Sequence, residues 1–141
     1  MTMIRGYRTT RAGTRTERCA AWAGLLLAVL ALRVLPFRHV TRIARAARRV
    51  GRRPTTRGRA EDMVQAVRHA GRHWPVRIAC LETSLGSVIA AALIGRHLTW
   101  CVGAQFAPPP TVYHAWAELP GHGPVGEEAA AGWHHHAALA I

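Results

Sequence analysis

The texture of the chain changes at Trp74-Pro75, and that break limits the architectures open to it. Upstream, apolar residues recur at helical spacing among arginines. In 37–50 (FRHVTRIARAARRV), Val40, Ile43, Ala44, Ala47 and Val50 share one face; Met63, Ala66, Val67 and Ala70 repeat the pattern in 60–74. Downstream, a nearly apolar helix is expected over CLETSLGSVIAAALIG (80–95), with Gly95 as its stop. Two strand-like runs follow, LTWCVGAQF (98–106) and TVYHAWAEL (111–119), around a loop containing Pro108, Pro109 and Pro110. PGHG (120–123) is a turn, and PVGEE begins a third strand. Helices first and antiparallel strands afterwards predict an α+β fold, with a cysteine-bearing helix packed on a small antiparallel sheet.

Charge follows the same division. All nineteen basic residues are arginine, and eighteen precede Cys80. With only Glu17, Glu61 and Asp62 to offset them, residues 1–79 stand at +15, against −3 for the rest. Such asymmetry points to an acidic partner or an anionic surface. No aromatic residues interleave the arginine runs for base stacking, so nucleic acid is not the expected partner. The run AAWAGLLLAVLAL (20–32) ends at Arg33, short of the ~20 residues a spanning helix needs. It reads as a buried or interfacial helix within a span expected from Cys19 to Val34. A membrane-associated helix and a targeting signal are the alternatives, although no cleavage pattern follows it. The expected organisation is a disordered basic tail (1–18), a helical basic extension and linker (19–59), a core (60–130) and a tail (131–141). His134, His135 and His136 fall in that last tail, where consecutive histidines cannot converge on one metal from a regular element. No metal or cofactor motif is present, and three cysteines without a CxxC pair suit a reducing, cytoplasmic compartment, with membrane-surface association left open.

The chemistry-bearing residues are Cys80 and His114. A thiol at the start of a helix feels the positive end of the dipole, which favours the thiolate. A histidine on a neighbouring strand could pair with it and protonate a leaving amine. The bland alternatives are a small buried cysteine, which Cys101 and Cys19 fit better, and a packed core histidine. Order and local context raise the catalytic reading to equal standing with the bland one.

Residues 74–127 resemble the leader-peptidase B proteins of lasso peptide biosynthesis, a branch of the transglutaminase-like cysteine proteases. The likeness lies in CLETSLGSVIAAALI, similar to that family's C-L-x-x-S-x-A helix, in the LTWCVGAQ strand, and in YHAWAELPGHGPVGE, similar to its A-H-A-W-V-E segment and G-x-P-V hairpin. The resemblance implies a transglutaminase/papain-like core and a cysteine protease that cuts the leader from a lasso precursor peptide. It implies two further partners, a separate leader-recognition protein and an asparagine-synthetase-like lasso cyclase. Cys80 becomes the nucleophile and His114 the general base and acid. The family's third residue is an aspartate soon after the histidine, whereas the only aspartate here, Asp62, lies upstream of both. Glu118, Glu127 and Glu128 are the substitutes. A hairpin with Leu119 opposite Pro124 would put Glu127 on the face of His114, so Glu127 is the expected third residue, and a one-residue shift would exchange it for Glu128. Glu82 and Gly86 also depart from the family pattern. Acyl transfer through the same thiol is not separable from hydrolysis by sequence. The alternative from another class is a basic nucleic-acid- or membrane-binding module carrying an inactive peptidase-like domain.

Overall fold

A computed structural model describes residues 13–107, 112–126 and 134–141. Four helices precede a sheet: α1 (Arg15–Val34), α2 (Phe37–Val50), α3 (Arg57–Gly71) and α4 (Cys80–Leu93), then β1 (Thr99–Ala107), β2 (Val112–Leu119), β3 (Gly123–Val125) and β4 (His134–Ala140). The strands form one antiparallel sheet in the order β3-β2-β1-β4. The α+β class expected from the texture break is the class observed.

Helix α4 is the centre of the molecule. It is buried continuously from Ser84 to Ala92, which explains a sequence that is apolar all round rather than on one stripe. α1, α2, α3 and β2 all pack on it. Its crossing with α1 depends on two glycines. A Cβ on Gly24 would lie 2.6 Å from the Gly86 carbonyl oxygen, and one on Gly86 would lie 3.1 Å from Leu25 Cα. Gly86, without explanation in the sequence, is thus the site of closest backbone approach. The ~1 kcal/mol that a helical glycine costs relative to alanine is offset by that packing.

Several expected boundaries need correction. α1 begins at Arg15, inside the tail expected to be disordered. Thr14 caps it: its Oγ1 accepts the Glu17 amide at 3.2 Å, and Glu17 Oε2 accepts the Thr14 amide at 2.9 Å. Glu17 is itself buried and pairs with Arg59 of α3 at 3.3 Å. The helical extension is therefore no appendage, since α1 packs along α4 and α3. α3 starts at Arg57 within the expected linker, with Thr56 as cap, and Arg57 pairs with Glu61 one turn on at 3.1 Å. The expected C-terminal tail contains β4. It pairs with β1, and Ile141 exchanges backbone hydrogen bonds with Trp100 at 2.7 and 2.9 Å. Without β4, that edge of β1 would leave a row of backbone donors and acceptors without strand partners. The histidine triplet thus belongs to a strand.

Candidate active site

Cys80 is the first residue of α4. Ala79 precedes it at the cap position and has no side-chain acceptor, so the helix start is braced from within. Glu82 Oε2 accepts the Ala79 amide at 3.1 Å, and Thr83 Oγ1 donates to the carbonyls of Ala79 and Cys80 at 3.1 and 3.3 Å. This supplies the account of Glu82 missing from the sequence: it fills half of a capping box. The visible signal was a glutamate at the third helical position. Its carboxylate also sits at the positive end of the dipole and competes there with any charge on the thiol.

His114 lies on β2 opposite Gly103 of β1, half-buried, its ring near-parallel to that of Trp116 with centroids 6.0 Å apart. Strand alternation defines two rows on β2. Ala115, Ala117 and Leu119 share a row with Trp100 of β1 and Val125 of β3, and this row meets α4, where Trp100 Nε1 donates to Ser84 Oγ at 2.9 Å. His114, Trp116 and Glu118 form the other row, with Cys101. Alternation alone therefore does not aim His114 at α4. Its association with Cys80 is a shared cavity of about 20 Å³, lined by Cys80 and Ser84 from α4, His114 and Trp116 from β2 and Arg68 from α3. That volume admits about one water. Arg68 also donates to the Gly126 carbonyl at 2.7 Å, which ties the exit of β3 to α3 beside the cavity.

The other thiols stand elsewhere. Cys19 is exposed on α1. Cys101 is fully buried, and its Sγ donates to Glu118 Oε2 at 3.0 Å. Burial first, then the hydrogen bond and charge of Glu118, push its pKa up to about 12. It is a protonated thiol at neutral pH and a poor nucleophile. Glu118 is thereby engaged with Cys101.

The hairpin corrects the step that selected Glu127. Leu119 pairs with Gly123 and Glu118 with Pro124, one residue away from the expected register. His122 closes the turn, its amide donating to the Leu119 carbonyl at 2.9 Å. Glu127 and Glu128 both lie outside the described residues. The register that favoured Glu127 over Glu128 is not the one observed, and a one-residue slip in a hairpin exchanges the faces of successive residues.

Among the described residues, no group of histidine, cysteine and acidic side chains is arranged to hold a metal ion, and no helix is long and apolar enough to cross a membrane. No match to the chain was found among curated proteins or among solved structures. The family model of the transglutaminase-like superfamily matches residues 11–139, from before the first helix into the last strand. The match spans the helices, the cavity and the sheet together, and the chain belongs to the transglutaminase-like superfamily.

Proposed function

We propose that the chain is a cysteine peptidase that removes the leader from a lasso precursor peptide. The observation that carries this reading is Cys80, on the first turn of a buried helix, lining one cavity with His114 in a member of the transglutaminase-like superfamily. In the proposed reaction, the Cys80 thiolate attacks the carbonyl that joins leader to core. His114, as imidazolium, gives its proton to the departing amine, and the acyl-enzyme breaks down when His114 draws a proton from water. A carboxylate that holds the imidazole tautomer is proposed from the pair Glu127 and Glu128. The substrate class rests on the CLETS helix and the YHAWAELPGHGPVGE segment.

Leader capture is assigned to the separate recognition protein and ring closure to the asparagine-synthetase-like cyclase, the two partners that the resemblance implies. Tethering the scissile bond near Cys80 raises its effective concentration. The test is a reconstitution with a lasso precursor and recognition protein encoded beside this chain. Mass spectrometry should show free leader and free core, with a faster rate when the recognition protein is present. An intact precursor under all conditions would remove the peptidase reading. A leader joined to an added amine, in place of the free leader acid, would reassign the thiol to acyl transfer.

A further inference from the structure

The face of α1 opposite the core is uncovered. Its inner face, including Ala21, Leu25 and Ala28, is fully buried. Its outer face presents Trp22, Leu26, Leu27, Leu30 and Val34 to solvent. The stripe continues round the proline turn into α2 through Leu35 and Phe37, and Val34 at that tip is 73% exposed. Between the two helices lies an open groove of about 450 Å³, lined by Leu27, Leu30, Val34, Ile43 and Ile89. Isolated exposed leucines are ordinary, but a contiguous apolar stripe and groove of this extent marks an interaction surface.

Charge identifies what it meets. Arg38, Arg42, Arg45 and Arg49 recur every three to four residues along the exposed side of α2, and Arg33 stands just before the tip. No acid occurs in the sequence between Glu17 and Glu61, and Glu17 is buried. A second copy of the chain laid on this face would offer no exposed acid from α1 or α2 to pair with the arginine row. An anionic lipid surface meets both requirements at once. Phosphate headgroups face the arginine row, and the acyl boundary receives an apolar tip and a stripe that runs beyond the groove to Trp22 at one end and Phe37 at the other. A partner protein could fill the groove but has no need of a protruding tip.

We infer that α1 and the α1–α2 turn form a peripheral membrane-binding face, in which Leu30, Val34 and Leu35 enter the interface of an anionic bilayer and the α2 arginines hold its phosphates. The face goes beyond the proposed peptidase activity and does not depend on it. The test is flotation of the full chain with vesicles of phosphatidylcholine alone or with about one quarter phosphatidylglycerol, where binding to the anionic vesicles should be at least about tenfold tighter. Leu30→Glu/Val34→Glu and Arg42→Glu/Arg45→Glu/Arg49→Glu should each reduce binding by about tenfold or more, with unchanged melting by circular dichroism. Val34→Glu alone, at the most exposed position, provides the reading if the double variant does not fold. Absence of anionic-vesicle binding would overturn the inference. Native-like binding by a folded apolar variant would also overturn it, since charge alone would then suffice. Self-association, or saturable binding of the leader-recognition protein, that needs Leu30 and Val34 in a chain that ignores vesicles would assign the face to that occupant instead.

Discussion

Cys80 and Cys101 are the same residue type in two environments that demand opposite chemistry. Cys80 opens a helix and borders a cavity with His114 and Arg68. Cys101 lies inside a strand, without solvent access, sharing its proton with a carboxylate. A helix start and an imidazole favour a thiolate; burial and a neighbouring carboxylate oppose one. The difference teaches that a nucleophile is identified by what stabilises its charge, not by its burial or its place in a motif. Glu118 makes the point from the acid side. It stands in the same row as His114, yet its carboxylate accepts from the buried thiol.

The sharpest way to break this comparison is to remove each sulfur in turn. Cys80→Ala should abolish leader release and leave the melting transition in place, because alanine suits a first helical turn. Cys101→Ala should keep most of the activity while lowering stability. Equal loss of activity in the two variants would mean that both thiols act through packing. Next in size, His114→Ala should lower turnover by roughly 10²–10⁴-fold, the range of positioned acid–base catalysis. A smaller loss would leave the histidine a packing residue against Trp116. Glu127→Gln and Glu128→Gln follow, and one of them should cost more activity than Glu118→Gln, whose carboxylate serves Cys101. The rates of the three variants decide the third residue, and a dominant loss from Glu118→Gln would separate the catalytic acid from both hairpin registers.

The smallest effect concerns Cys101 and pH. Burial and Glu118 push its pKa in the folded chain up to about 12, above the range of an ordinary thiol, so the native state holds the proton more tightly than the unfolded state. That contribution is fully present below pH 9 and is lost as pH rises toward 12. The loss should be on the order of 1 kcal/mol per pH unit across the window. Chemical denaturation at stepped pH should show the slope in the native chain and a shallower one in Cys101→Ala.

Much of this architecture was legible in the sequence because periodicity and turn chemistry are local. The arginine-flanked helices, the apolar cysteine helix and the two main strands follow from spacing, and α2 falls on the expected 37–50. Elements fixed by distant partners were not legible. β4 lacks strand alternation of its own and exists because β1 offers an open edge. α1 looks like an appendage until Gly24 and Gly86 bring it against α4. The start of α1 was readable in principle from Thr14 and Glu17, three residues apart. At the site, helix position and chain order indicated Cys80 and His114, but the acid depended on a hairpin register that one residue of loop length decides, and the observed pairing differs by one residue. Strand alternation alone could not reveal that the cavity beside Cys80 takes wall residues from both rows of β2, Ala115 and Ala117 as well as His114 and Trp116.

The central claim is that His114 and the start of α4 hold Cys80 as a thiolate. Peptide-resolved iodoacetamide labelling against pH measures this without a substrate and separates Cys80 from the exposed Cys19. The Cys80 rate should titrate with a pKa well below the ~8.5 of a free thiol, and His114→Ala should raise it. A Cys80 that titrates near ~8.5 in the native chain, unmoved by His114→Ala, would contradict the account.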